Sequence, residues 1–163
     1  MEEYKISEDQ LIIAKEFFSS DNIDALTKQS RKINTTQPNF SAVVLALEMY
    51  GLNRVFVEDI LESIFVVYFV QTELRKKNIA KISTVDIEKN IKWFGDFIMY
   101  YNMEKECGTA DLEKIKFLRD DTVLRFAIAT LQGLFGDYKK IPWEVVISYF
   151  ALLKGIEMGA EKG

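Results

Sequence analysis

Along much of this chain apolar residues recur at spacings of three and four, which places them on one side of an α-helix. The clearest seam is Ile87, Ile91, Phe94, Ile98 and Tyr101. Ser83 stands ahead of it as an N-cap, and Asp86 and Glu88 suit the positive end of the helix dipole. Nearer the start, Ser7-Glu8-Asp9-Gln10 is a capping box before Leu11, Ile12, Ile13, Phe17 and Phe18, and it predicts a short first helix. A polar run ending at Asn22 breaks that helix. A second carries Ile23, Leu26 and Ile33, with Lys28, Arg31 and Lys32 towards its C-terminal end. Residues 34–37 read as a polar loop. Pro38 suits the first turn of a third helix over 40–50, and Gly51 its stop.

The longest element is expected over 54–77, which holds no Gly or Pro. Arg75, Lys76 and Lys77 suit its negative end, and Asn78 a left-handed cap. The run IFVVYFV over 64–70 has strong β propensity, but the pattern on both sides of it is helical, so helix is predicted. Phe56, Ile60, Ile64, Val67, Gln71 and Leu74 fall on one face, and Glu58, Asp59, Glu62 and Glu73 on the other. Val66, Phe69 and Val70 stack on the acidic side, so the middle of this helix is apolar all round, as in a helix ringed by others.

Beyond the seam helix, Gly108 ends a segment and Thr109 caps a short helix with Leu112, Ile115 and Leu118. Asp120 or Asp121 caps the next, which holds Leu124, Ala127, Ile128, Leu131 and Phe135 and closes at Gly136. Pro142 opens the last. Val145, Tyr149, Leu152 and Ile156 lie on one of its faces, and Val146, Ile147, Phe150 and Leu153 cover most of the rest. There is no repeat, low-complexity tract or long linker. The pattern predicts an all-α fold: a compact single-domain multi-helix bundle over residues 1–163, with about seven or eight helices around a long central one.

Composition narrows the chemistry. The chain has 163 residues, enough for one core that hides roughly 70% of the unfolded surface. The hydrophobic share of 48% and charged share of 28% suit a soluble globular protein. Only 2 prolines and 8 glycines interrupt it, which favours long helices. There is no histidine, which removes Ser-His-Asp and Cys-His nucleophile systems, His-ligated zinc and Glu-x-x-His iron sites. Cys107 is the one cysteine, so no intramolecular disulfide forms and a cytoplasmic setting is expected. Set at a helix end beside Glu104 and Glu106, its thiol reads as inert. The first residues, MEEYKISEDQ, are acidic and polar, unlike the basic start of a signal peptide. The most apolar run, 64–70, is far shorter than the roughly 20 residues a membrane span needs, so no membrane is expected.

Three constellations could carry a function. Glu58, Asp59 and Glu62 form an acidic face on which Asp59 and Glu62, three apart, could share a Mg²⁺ ion. A solvated helix face is the preferred account, with no metal and no cofactor. Segment 75–92 concentrates positive charge in Arg75, Lys76, Lys77, Lys89 and Lys92 and has a faint helix-turn-helix outline. Against it stand Asp86 and Glu88 in the first turns of the second helix, and a net charge of −4. Trp93, Phe97 and Tyr100 flank the seam and widen its apolar arc, which suits an interface as well as a core. Gly155 and Gly159 have the G-x-x-x-G spacing, read as close packing or fraying. No phosphate-binding glycine motif and no G-x-S-x-G is present.

The reading preferred from these observations is a non-enzymatic cytoplasmic protein–protein interaction module. It would meet a protein partner, or a second copy as a homodimer, through Trp93, Phe97 and Tyr100. The alternatives are a helical DNA-binding regulator using segment 75–92 and a Mg-dependent enzyme using Glu58, Asp59 and Glu62.

Overall fold

The computed structural model describes residues 5–19, 22–49, 51–102, 117–136 and 142–162. Among them are seven α-helices and no strand: α1 (Glu8–Phe17), α2 (Ile23–Thr36), α3 (Phe40–Met49), α4 (Arg54–Phe69), α5 (Thr84–Asn102), α6 (Asp121–Phe135) and α7 (Trp143–Lys162). A π-helical turn, Val70–Leu74, continues α4. The expected short helix after Thr109, apart from Leu118, and Cys107 lie outside the described residues. No helix among the described residues is long and apolar enough to cross a membrane.

Local signals place most of the helix starts. Ser7 Oγ accepts from Gln10 N while the Gln10 side chain accepts from Ser7 N, a complete capping box. Asp120, and not Asp121, caps α6 by accepting from Thr122 N and Val123 N. Ser83 Oγ accepts from Asp86 N ahead of α5. Gly51 and Gly136 both take the left-handed backbone that a residue past a helix end requires.

Helix α4 packs against α1, α2, α3, α6 and α7. Every residue from Ser63 through Tyr68 is buried, as expected of a helix apolar all round. Ser63 pairs its hydroxyl with Tyr149 Oη at 2.6 Å, so this one polar side chain is satisfied inside the core. The buried apolar side chains form one cluster running from Ile6 to Ile156. Helices α5 and α7 make the most extensive helix pair, with Phe94 and Phe150 stacked 5.3 Å apart.

Three expectations are corrected. The helix over 54–77 stops early: α-geometry ends at Phe69, the π-turn ends at Leu74, and α7, with 20 residues, is the longest described helix. Arg75 N bonds to Val70 O at 2.9 Å, five residues back, and Lys77 N to Gln71 O at 2.8 Å. Lys76, and not Asn78, then takes the left-handed backbone, with φ of 53°. Residues 34–36 belong to α2, and Gln37 is fully buried instead of sitting in a polar loop. The connection over 78–83, which follows the basic residues, is not a short turn. It is an extended strap laid across α7, with Ile79 and Ile82 buried.

Gln37 acts on that strap as a neighbouring strand would. Its Nε2 donates to Ala80 O at 3.1 Å, and its Oε1 accepts from Ile82 N at 2.9 Å. Asn39 Nδ2 adds a bond to Ile82 O. On the other side Ala80 N donates to Gly159 O at 3.1 Å. A Cβ at Gly159 would stand 2.6 Å from Ile79 Cγ2 and 3.0 Å from Ala80 O, and one at Gly155 would stand 3.1 Å from Ile82 Cδ1. The G-x-x-x-G spacing is therefore a groove for the strap, which is the close-packing reading of those two glycines.

Candidate functional site

The break at the end of α4 opens a cavity of about 590 Å³ between the π-turn, the 119–123 turn and the second half of α7. Its interior is apolar, formed by Val67, Val123, Leu153, Ile156 and Ala160. Its mouth is charged. Lys5, Arg75, Lys77 and Arg119 contribute four cations, and Asp120, Glu157 and Glu161 three carboxylates. The π-turn supplies one wall directly: Gln71 lines the cavity and its Oε1 accepts from Arg75 Nη1 at 3.4 Å.

The three carboxylates are held by their own surroundings. Asp120 is buried and accepts from three backbone N–H groups, those of Thr122, Val123 and, at 2.6 Å, Ile6. This last bond ties the segment before α1 to the cap of α6. Burial pushes the Asp120 carboxyl above its ordinary range; the three N–H groups pull it back, and nearby Glu157 pushes it further up. Glu157 accepts from Arg119 N and Asp120 N and pairs with Lys154 Nζ at 2.8 Å, both side chains being largely buried. The same ammonium lies 5.8 Å from the centre of the Phe117 ring. Glu161 receives Arg119 Nη1 at 3.3 Å. Exposed Lys5 stands 3.7 Å from Asp121.

The acidic residues singled out from the sequence separate. Glu58 is exposed and lies 3.5 Å from Arg54 Nε on its own helix. Asp59 and Glu62 line a second cavity, about 320 Å³, with Lys15, Val66, Phe126 and Leu134 among its walls. Burial first, and the charge of Asp59 second, push Glu62 above the usual carboxylate range, while Lys15 pulls it back. Among the described residues no three His, Cys, Asp or Glu side chains gather as a metal-holding group. Beneath this cavity the Tyr149 hydroxyl sits between Ser63 and Thr130, and burial pushes its phenol up to about 12.

The basic segment separates too. Arg75 and Lys77 face the large cavity, Lys76 is exposed at the left-handed turn, and Lys89 and Lys92 are exposed on α5, Lys92 paired with Asp96 at 3.0 Å. An extended strap, and not a short turn, joins the two helices, so the helix-turn-helix outline is not formed. In the aromatic flank, Trp93 is 50% exposed and stacks on Phe97 at 5.7 Å and on Phe117 at 4.9 Å. Phe97 is half-buried, and the side chain of Tyr100 lies outside the described residues. Wide apolar arcs elsewhere in the chain do not by themselves call for a partner. The extra arcs of α4 and α7 are covered within the chain, with Val66, Val70, Val146, Phe150 and Leu153 all buried.

Sequence reasoning missed the mouth of the large cavity because its members come from distant segments. One signal was legible: Lys154, Glu157 and Glu161, spaced three and four apart, form the only charged stripe in the apolar body of α7. Neither the sequence nor the fold matches a known protein family, a curated protein or a solved structure.

Proposed function

We propose that this is a non-enzymatic binding protein whose site is the cavity at the break of α4. The observation that carries the reading is the cavity itself. Its volume of about 590 Å³ lies in the range of small-ligand pockets, about 300–1,000 Å³, and it joins an apolar interior to a few charged groups at the mouth. The π-turn that opens it is a rare geometry, and one frequent at functional sites. A sequence without histidine, and a mouth with no Ser, Thr, Cys or Tyr among its described residues, supports binding over catalysis. The test is titration with anilinonaphthalene sulfonate, an apolar anion whose fluorescence rises out of water. Saturable one-to-one binding is expected, and Ala160→Phe, which puts a ring into the cavity, should abolish it without lowering the melting temperature. Equal binding by both proteins would locate the dye elsewhere and defeat the reading.

A second reading rests on Trp93. This half-exposed ring, held rigid by stacking on Phe97 and Phe117, supports a cytoplasmic module that docks a protein partner or a second copy. Light scattering coupled to size exclusion tests it: association that Trp93→Ala weakens would favour it, and a monomer at high micromolar concentration would remove the homodimer.

A further inference from the structure

The large cavity is walled in part by a polar group that the fold does not use up. Gln71 is 6% exposed and lines the cavity from the π-turn. Its Oε1 accepts from Arg75 Nη1, and a guanidinium only donates, so this bond fixes which end of the amide is oxygen. The other end, Nε2, carries two N–H donors and has no hydrogen-bond partner among the described residues. Among those residues no fully buried side-chain nitrogen or oxygen lacks a partner, so Nε2 keeps some open surface. In a side chain this buried, that surface opens into the cavity. Buried side-chain donors are nearly always bonded in folded proteins, so a donor left over at a cavity wall is one that a ligand can use.

The charged groups around Gln71 are committed elsewhere. Arg75 bonds to Gln71 itself, Lys5 lies 3.7 Å from Asp121, and Arg119 pairs with Glu161. Lys77 is engaged as well. Asp120 accepts from three backbone N–H groups, and Glu157 from two backbone N–H groups and Lys154. A charged ligand group entering here would shed its water and compete with these bonds for a partner, which is costly. It can instead stay in water outside the mouth, where it gains little. An uncharged oxygen at Gln71 meets no such cost. Next to this amide lie Val67, Val123, Leu153 and Ile156, all buried. At liquid density a water-sized group takes about 30 Å³, so 590 Å³ holds on the order of 20 heavy atoms. An apolar molecule with one small polar group fits within that number.

From this juxtaposition we infer that the cavity binds an uncharged apolar molecule bearing a carbonyl oxygen, with that oxygen at Gln71 Nε2 and its apolar body against Val67, Val123, Leu153 and Ile156. The inference rests on the binding reading above and adds the chemistry of the ligand. The probes are 2-octanone and octanoate, eight-carbon molecules that differ in charge. Each is titrated into the ¹⁵N-labelled full chain and followed by backbone amide shifts and by the side-chain NH₂ signals of Gln71. 2-Octanone should shift the backbone amides of Val123, Ile156 and Ala160 together with the Gln71 NH₂ signals, and bind at least about tenfold tighter than octanoate. Gln71→Met keeps the length of the side chain and removes its N–H donors. It should weaken 2-octanone by about three- to tenfold, the worth of one neutral hydrogen bond, and leave octanoate unchanged, which a distorted cavity would not. Octanoate binding as tightly as 2-octanone at these amides overturns the inference of an uncharged ligand and leaves the binding reading standing. Bound 2-octanone that leaves the Gln71 NH₂ signals unmoved overturns the placement of its oxygen, again with the binding reading intact. Shifts at none of these amides with either probe overturn both. The Gln71 signals are read on the unaltered chain, so the test stands even where Gln71→Met does not fold.

Discussion

Two sides of the second half of α7 face the same stretch of chain and meet it in opposite ways. On the glycine side, Ile79, Ala80 and Ile82 lie against Gly155 and Gly159 so closely that one added methyl at Gly159 has no room. On the other side, Ile156, Glu157 and Ala160 keep the π-turn, Arg75 and Lys77 at a distance and leave about 590 Å³ between them. The difference comes from single positions. Where the helix has no Cβ, backbone reaches backbone and a hydrogen bond from Ala80 to Gly159 forms. Where it has branched and charged side chains, the neighbour carries charges of its own that favour hydration over close packing. A tight seam and an open cavity thus sit within one turn of one helix, and the seam holds the cavity in shape.

The comparison can be broken most forcefully at Gln37. Gln37→Leu should cost about 2–4 kcal/mol, since it strands a part-buried Ala80 carbonyl and a buried Ile82 N–H. A denaturant midpoint equal to that of the unaltered chain would mean that the strap is not held as described. Next in size is Gly159→Ala, expected to cost about 1–3 kcal/mol by overpacking against Ile79 and the Ala80 carbonyl. Gly155→Ala should cost less, because it meets only the end of the Ile82 side chain, which can turn aside. The neighbouring change sharpens the contrast: Ala160→Leu adds more atoms than Gly159→Ala but points them into open space, and should alter stability by less than about 1 kcal/mol. If thermal melts rank 160 above 159, the two sides have been assigned the wrong way round.

The smallest effect is electrostatic and lies at the other cavity. Glu62 titrates above the ordinary carboxylate range, so the folded protein holds this proton more tightly than the unfolded chain does. Its contribution to stability is complete below the ordinary range and is lost as pH rises through the raised value. Glu62→Gln removes that loss. The variant should therefore melt slightly higher than the unaltered chain near neutral pH, by about 0.5 kcal/mol or less, and the gain should vanish towards acid. A variant that melts lower at neutral pH would show that the carboxylate makes a favourable interaction.

Legibility in the sequence followed the range of the interactions. Caps at Ser7, Ser83 and Asp120 were readable because donor and acceptor lie within three residues of each other. So was the buried middle of α4, since a run with no polar face has only one place to go. The role of Gln37 was not readable: its partners lie 43 and 45 positions away, and a lone amide near a proline looks like any loop residue. The π-turn was not readable because 54–77 contains no helix breaker; Lys76 accepts a left-handed backbone that its residue type disfavours. The same holds for the cavity, which draws on Lys5, Arg75, Arg119 and Glu157, and no local pattern joins them. Only tertiary structure shows that the acidic trio divides, with Glu58 turned to Arg54 and Glu62 to the smaller cavity.

The seam between the strap and α7 also has a kinetic meaning. Ala80 and Gly159 are 79 positions apart, so this contact closes a long loop, and its entropic cost is recovered only when the rest of the core is in place. Closure of the seam belongs late on the folding path, after the transition state. Destabilising changes at Gly155 and Gly159 should therefore speed unfolding and leave the folding rate almost unchanged. In stopped-flow measurements only the unfolding arm of the chevron would move. Among local openings of the native protein, the strap is then the piece that lifts first, while Arg75 and Lys77 stay bonded to the π-turn through Val70 O and Gln71 O.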